Sequence, residues 1–224
     1  MNFRFPVFLD VSGKNCIVTG EGFEVPAKVE GLVKAGANTT YIHPTADPRI
    51  QELIETALVR WERRDLQPDD LDSCFLIIAD TPNNAAIFEM AEERRVLCNA
   101  VDDPTNCRFS FGSVHRQADL TIAVSTNGWA PALAVRLKQW LQKEIGPEYG
   151  ELLELLREAR PEITSSIGDF AARRDLWYEL VDSAALEFLR NGERDAAATL
   201  IQEKIAARIN STSHSDISVD AAGR

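Results

Sequence analysis

The stretch CIVTGEGFEVPAK, residues 16–28, decides the fold, because a buried strand passes within it into a glycine turn and then into a helix. Its first four residues are apolar or small, and residues 24–37 carry apolar side chains near helical spacing. NTTYIHP, residues 38–44, follows as a second strand that Pro44 ends. The connection is too short for anything but a helical crossover, so we predict parallel strands in a right-handed β-α-β unit.

Strand and helix patterns continue to alternate over the first half of the chain. The apolar run CFLIIADT, residues 74–81, is typical of a strand that a parallel sheet buries on both faces, and ALVRWERR, residues 57–64, is a candidate strand. A helix at 83–95 and a strand at 96–102 come next. We therefore predict an α/β fold with a Rossmann-like, doubly wound parallel sheet in residues 1–110.

The pattern changes after Asp102. Residues 107–126 alternate as antiparallel strands do, and residues 130–145 form a helix with Pro131 in its first turn. The sequence from 151 to 209 has a helical pattern throughout.

Two features should interrupt or end this helical part. Breaks are expected at Pro161, because proline lacks the N–H that a helix interior needs, and at Asn191-Gly192. Residues 211–224 are small and polar, which predicts a disordered tail.

Composition argues against several classes of protein. Hydrophobic residues make up 45% of the chain and charged residues 26%, and no apolar run approaches the roughly 20 residues of a membrane helix. We predict no membrane partner, no secretory signal and a cytoplasmic location. The four cysteines are scattered without a CxxC motif, so neither a disulfide nor a zinc framework is predicted.

Charge narrows the choice of ligand. The net charge of -11 argues against a nucleic-acid partner, because binding phosphates needs a basic face. Residues 101–145 nevertheless carry five cations and four anions, whereas the rest of the chain is strongly acidic. An anionic ligand is repelled least by this segment.

The turn Gly20-Glu21-Gly22 lies where a dinucleotide fingerprint would. Gly20 permits a tight turn, Gly22 lets the backbone approach a pyrophosphate, and the helix N-terminus offers N–H groups and a positive dipole end. The strand–turn–helix context favours a dinucleotide site, and a merely structural turn is the alternative. Glu21 and Val25 depart from the fingerprint, and no acidic residue ends the second strand to hold a ribose.

Three longer stretches resemble one known family. They are FPVFLDVSGKNCIVTGEG (5–22), AEERRVLCNAVDDPTNCRFSFGSV (91–114) and ADLTIAVSTNGWAPALAVRLKQWL (118–141). They are similar to the siroheme-synthase N-terminal module, the precorrin-2 dehydrogenase and sirohydrochlorin ferrochelatase family. The resemblance implies NAD-dependent oxidation of precorrin-2 to sirohydrochlorin, with Fe²⁺ as a further substrate in members that also act as chelatases.

The resemblance also implies an architecture. Similar proteins are homodimers, which predicts an NAD-binding domain at 1–110, a dimerisation segment at 111–146 and a helical domain at 147–210. The apolar surface of ADLTIAVST and of the helix from Pro131 exceeds what a lone Rossmann domain covers, which also favours a dimer.

Site residues follow from the same resemblance. The family's catalytic aspartate falls on Asp102, and removing a hydride and protons from a reduced macrocycle needs such a base. A strand-ending turn at Asp102-Asp103-Pro104 is the alternative. The residues implied to hold NAD are Gly20, Gly22, Phe23, Glu24, Pro44, Thr45 and Thr81. Those implied to contact the tetrapyrrole, an anion, are Asn99, Ser113, His115, Arg116 and Thr126.

Several alternatives stay open at this stage. His115 is either a metal ligand or a surface histidine beside Arg116, and the sequence identifies no metal site. Trp129 either stacks on a macrocycle or packs in a dimer interface. Cations for the substrate carboxylates are Arg108, Arg116, Arg136 and Lys138. A tetrapyrrole- or metal-binding relative without dehydrogenase activity is the alternative function, and an NAD-sensing regulatory module is a third.

Overall fold

The protein is described by a computed structural model that covers the backbone of residues 4–220 and the side chains of residues 4–211. It divides into two compact units, residues 1–111 and residues 112–224. The domain boundary expected after residue 110 lies one residue before this division.

The first unit contains a five-stranded, all-parallel sheet in the order β3-β2-β1-β4-β5. The strands are β1 (Asn15–Gly20), β2 (Asn38–Ile42), β3 (Val59–Glu62), β4 (Leu76–Asp80) and β5 (Leu97–Ala100). The helices are α1 (Val25–Lys34), α2 (Pro48–Glu55) and α3 (Asn84–Glu93). The doubly wound parallel sheet predicted from the sequence is confirmed.

Alternation along β1 divides the core of this unit into two layers. Cys16 and Val18 pack on one face with apolar side chains of α1 and α2, such as Val29 and Ile50. Ile17 points to the other face, where side chains of α3 cover it. Both faces are therefore buried, which explains why the strands are apolar runs rather than alternating ones.

Helix α2 is missing from the elements predicted by the sequence pattern. Asp47 caps it, accepting a hydrogen bond from the Arg49 N–H at 2.9 Å, and Pro48 occupies its first turn. These residues are the usual signals of a helix start. The helix connects β2 to β3 and thereby allows the two strands to run parallel.

The second unit combines a β-hairpin with helices. Its strands are β6 (Ser113–Gln117) and β7 (Leu120–Val124), which pair antiparallel. Its helices are α4 (Pro131–Glu144), α5 (Pro147–Ser166), α6 (Phe170–Val181), α7 (Ala185–Arg190) and α8 (Arg194–Asp220). Buried side chains of α5 to α8 form one core, which includes Ile163, Leu176, Leu180 and Ile201.

One expectation for the helical part needs correction. The break predicted at Pro161 does not occur, because Pro161 lies on the exposed side of α5 while Ile163 anchors the same turn in the core. Helix α8 is described to Asp220, through part of the segment 211–224 that the sequence predicts as a disordered tail, and the disorder of that tail stays a prediction. Residues 221–224 lie outside the described residues. The break at Asn191-Gly192 is confirmed, between α7 and α8.

Among the cysteines, Cys16 and Cys98 are buried, and Cys74 and Cys107 are half-buried. All four cysteines are free, and burial raises the pKa of the Cys16 thiol to about 11. Within residues 4–211, we find no helix with the length and apolar character that crossing a bilayer requires.

Candidate functional site

The glycine turn lies at the carboxyl edge of the parallel sheet, where β1 ends. Gly20 has a φ of 110°, and it pairs in register with Asp80, the last residue of β4. A Cβ on Gly20 would collide with the backbone carbonyl of Asp80. Both the backbone angle and the close approach of β4 therefore require glycine at this position.

Gly22 is required for a different reason. A Cβ on Gly22 would overlap the carboxylate of Asp80, whereas its backbone angle is ordinary. The Asp80 side chain thus lies directly against the turn that is predicted to hold a pyrophosphate. This acidic neighbour is absent from the sequence-based expectations.

Burial is the main cause of a raised pKa for the Asp80 carboxyl. The negative charges of Asp102 and then of Glu24 act in the same direction, and Lys28 opposes them. Lys28 Nζ lies 2.9 Å from Glu24 Oε2 and 4.1 Å from the centroid of the Phe111 ring. One cation and several carboxylates therefore surround the turn.

A cleft of about 250 Å³ opens beside the turn, at the carboxyl ends of β1 and β2. Its lining includes Glu21, Gly22, Tyr41, Thr45 and Asp47. The Tyr41 hydroxyl donates a hydrogen bond to the Gly20 carbonyl at 2.7 Å and so fixes the turn to β2. In doubly wound sheets, ligands bind in the crevice at this edge. The glycines and the cleft together fit a dinucleotide, although Glu21 and Asp80 add negative charge.

The other predicted cofactor residues lie along the same edge. Phe23 is 97% exposed, directly after the glycine turn. Thr45 lines the cleft and follows Pro44 in the turn after β2. Thr81 follows β4, where its backbone N–H donates to Asn84 Oδ1 at 3.0 Å. Contact between NAD and these residues stays a prediction.

Asp102 follows β5 and therefore belongs to the same edge of the sheet. It is exposed and has a φ of 56°, a left-handed conformation that aspartate tolerates better than most residues. Strands β4 and β5 are neighbours in the sheet, and the negative charge of Asp102 contributes to the raised pKa of Asp80.

Asp103 is used differently from its neighbour. Its carboxylate accepts hydrogen bonds from Asn106 Nδ2 at 2.6 Å and from Thr105 Oγ1 at 2.8 Å. These bonds, that from Asn106 first, hold the pKa of Asp103 below its usual value. Asp103 thus stabilises the turn, and the catalytic role of Asp102 stays a prediction.

Asn99 is buried in β5 and contributes to the fold. Its Nδ2 donates to the Phe109 carbonyl at 2.9 Å and ties β5 to the segment that follows. Arg108, one of the cations predicted for the substrate, donates from Nε to Glu92 Oε1 at 2.7 Å. Substrate binding by Asn99 stays a prediction.

The remaining predicted substrate residues belong to the second unit. Arg116 is exposed on β6, and Ser113 is half-buried at its start. Thr126 Oγ1 accepts a hydrogen bond from the Ala130 N–H at 3.3 Å, before α4. Their contacts with substrate stay predictions.

His115 is not the surface residue that its position beside Arg116 suggested. It is 4% exposed, and its Nε2 donates to the Ile145 carbonyl at 2.8 Å, which ties β6 to the end of α4. The alternation of β6 explains the difference, because adjacent residues point to opposite faces. Among residues 4–211, no three His, Cys, Asp or Glu side chains are grouped to hold a metal ion.

Three charged residues at this edge escaped the sequence-based prediction. Asp80 ends a buried parallel strand, and an acidic residue in that position is a signal for the crevice. Asp47 precedes Pro48 and an amphipathic turn, which is a signal for a capped helix, and it lines the cleft. Lys28 has no comparable signal, because its contact with Phe111 spans distant parts of the chain.

Three family models match consecutive parts of the chain. Residues 7–113 match a family model described as putative NAD(P)-binding, and residues 117–144 match one described as sirohaem biosynthesis protein central. Residues 148–205 match a model described as the sirohaem synthase dimerisation region. That match lies C-terminal to the segment 111–146 in which dimerisation was predicted.

The relatives are named siroheme synthases. The chain is 32% identical to that of Acinetobacter baylyi over 206 residues, which are 90% of this chain and 45% of the relative. It is 31% identical to that of Photobacterium profundum over 200 residues, with coverages of 88% and 43%. The chain therefore spans less than half the length of these relatives.

A solved structure supports the fold assignment. SirC, a precorrin-2 dehydrogenase, superposes with a TM-score of 0.71 and 22% sequence identity, and the match covers 89% of this chain and 99% of SirC. The three family models occur in sequence along the chain, and siroheme synthases match it over nearly its whole length. The chain belongs to the family of the siroheme-synthase N-terminal module.

Proposed function

We propose that the protein is an NAD-dependent precorrin-2 dehydrogenase that forms sirohydrochlorin. The observation that carries the proposal is the shared carboxyl edge of the sheet, where the glycine turn ends β1, Asp80 ends β4 and Asp102 follows β5. The family membership and the NAD(P)-binding match support the same function. A cytoplasmic location and a homodimeric state remain parts of the proposal.

The residues divide the work between binding and proton transfer. Gly20, Gly22 and the cleft beside them bind the dinucleotide, and bound NAD⁺ supplies a hydride acceptor. Asp102 accepts the proton that the reduced macrocycle loses when it is oxidised, so that each turnover removes a hydride and a proton. The same carboxylate is suited to accept pyrrole protons if Fe²⁺ is a second substrate.

A second candidate function is favoured by one observation. The carboxylates of Glu21 and Asp80 both lie at the turn, and each repels an anionic pyrophosphate. A relative that binds a tetrapyrrole or a metal without oxidising it would have no need for a neutral turn. This candidate predicts tetrapyrrole binding without dinucleotide binding.

One experiment separates the two candidates. The purified chain is mixed with precorrin-2 and NAD⁺ under anaerobic conditions, and NADH is followed by absorbance, with a control that lacks precorrin-2. NADH formation at the rate of sirohydrochlorin formation supports the dehydrogenase. If no NADH forms, and a separate titration of the protein with sirohydrochlorin shows binding, the second candidate is supported. Addition of Fe²⁺ after oxidation, compared with a sample lacking protein, tests for chelation.

A further inference from the structure

The polar lining of the cleft beside the glycine turn is acidic. Glu21 and Asp47 contribute carboxylates, and among the described residues no lysine or arginine lines the cleft. Burial raises the pKa of Tyr41, at the floor of the cleft, to about 12, and the charges of Glu21 and then Asp47 add to the shift. The negative field therefore extends into the cleft.

Asp47 is held in a defined position within this lining. Its Oδ1 accepts the Arg49 N–H at 2.9 Å as the N-cap of α2, and Pro48 restricts the backbone that follows. No hydrogen bond to Oδ2 is found within the part of the chain that the structure describes. One oxygen of a fixed carboxylate thus remains to accept hydrogen bonds from a ligand.

The cation nearest in sequence to this carboxylate is committed elsewhere. Arg49 Nε donates to Glu30 Oε1 of α1 at 2.9 Å, and its Nη2 contacts the same oxygen. A guanidinium near the end of the second strand is the group that accommodates a 2′-phosphate in dinucleotide-binding folds. In this protein the ion pair with Glu30 of α1 holds the Arg49 guanidinium.

We propose that Asp47 accepts hydrogen bonds from the adenosine ribose hydroxyls and selects NAD over its 2′-phosphorylated form. The inference rests on the proposed function and deepens it. Two hydroxyl groups are donors that a carboxylate binds well, whereas a 2′-phosphate would bring a second anion against Asp47 and Glu21. The ribose lies at this place because the cleft adjoins the pyrophosphate turn on its β2 side.

Titration calorimetry with NAD⁺ and NADP⁺ on the full chain tests this assignment. We expect the wild type to bind NAD⁺ more tightly than NADP⁺ by a factor on the order of 10 to 100. Asp47→Asn should shrink this ratio by on the order of tenfold while keeping the helix cap, because asparagine caps helices as well as aspartate does. Asp65→Asn, the same charge change at an exposed position outside the cleft lining, should leave the ratio unchanged.

The possible failures are distinguishable. Equal binding of both nucleotides by the wild type, or an unchanged ratio in Asp47→Asn, would overturn the role of Asp47 and leave NAD dependence intact. Binding of neither nucleotide would overturn NAD dependence itself, and the role of Asp47 with it.

Discussion

Asp102 and Asp103 are adjacent carboxylates that the structure uses in different ways. Asp102 is exposed and left-handed, whereas Asp103 accepts two side-chain hydrogen bonds within its turn. We expect Asp102→Asn to slow precorrin-2 oxidation by a factor on the order of 10² to 10⁴, the usual loss for a general base. We choose asparagine to replace Asp102 because asparagine tolerates the left-handed backbone at this position. Anaerobic NADH formation measures the rate.

Asp103→Asn is the matched control, since it makes the same change of charge one residue later. It should lower stability through its turn and retain most of the turnover. If instead Asp103→Asn is the inactive variant, the catalytic aspartate is displaced by one position. Normal turnover in both variants would mean that Asp102 has no catalytic role.

The raised pKa of Asp80 gives a stability prediction with a definite sign. Its folded pKa lies above the ordinary value of 3.8, so its contribution to stability is complete below that value and is lost as pH rises through the folded pKa. Asp80→Asn, which cannot ionise, should therefore increase the free energy of unfolding at neutral pH. Urea unfolding at several pH values should show a gain that shrinks as the solution becomes acidic. A gain independent of pH would contradict the ionisation argument.

At the scale of single residues, the sequence predicted some members of the candidate site and missed others. The family resemblance predicted Asp102 and the fingerprint predicted Gly20 and Gly22; the structure places all three at one edge of the sheet, and their roles stay predictions. Asp80 was not identified because its contact with the turn joins β1 to β4 across the sheet, and no local pattern records that pairing. The burial of His115 was missed for the same reason, since its partner is the carbonyl of Ile145 at the far end of α4.

The glycine turn is the element whose chemistry is most open to test. Gly22→Ala should weaken NAD⁺ binding, because its methyl group overlaps the Asp80 carboxylate. That obstacle is a movable side chain, so Asp80→Ala in the same molecule should restore binding. In Gly20→Ala the new methyl group collides with the backbone of Asp80, and the positive φ adds strain. Adding Asp80→Ala to Gly20→Ala should therefore not restore NAD⁺ binding.

Calorimetric Kd values for NAD⁺ are measured for the two double variants, in which Asp80→Ala is combined with Gly22→Ala or with Gly20→Ala. Restoration in both double variants would show that side-chain crowding alone constrains the turn. Restoration in neither would show that Gly22 contacts the dinucleotide itself. Tighter binding in the Asp80→Ala single variant than in the wild type would indicate that this carboxylate repels the pyrophosphate.

At the scale of elements, the sequence predicted the sheet better than the helices. Buried parallel strands are apolar runs bounded by turns, and each expected strand is present. Helix α2 was missed because only eight residues form it and Ile50 alone is buried. The opposite error occurred at Pro161, where packing of α5 against α6 to α8 outweighs the lost hydrogen bond. Tertiary contacts that local patterns do not record decided both cases.

At the scale of the whole molecule, the second unit exposes two apolar helix faces. Leu133, Leu137 and Trp140 are exposed on α4 at helical spacing. Tyr178 and Val181 are exposed on α6. The first face lies in the segment predicted to dimerise, and the second lies within the residues matched by the dimerisation model. A homodimer would cover one face or both.

We expect the protein to be a dimer at micromolar concentration, with α4 in the interface. Light scattering should then find a monomer for the double variant Leu137→Glu and Trp140→Glu, because two buried carboxylates without partners disfavour association. Gln139→Glu, an exposed neighbour on α4, is the control for added charge and should remain dimeric. If Tyr178→Glu and Val181→Glu dissociate the dimer and the α4 variant does not, the interface lies in the C-terminal helices and the segment 111–146 has been assigned wrongly. A monomeric wild type would contradict the dimer itself, and the apolar face of α4 would then need another partner.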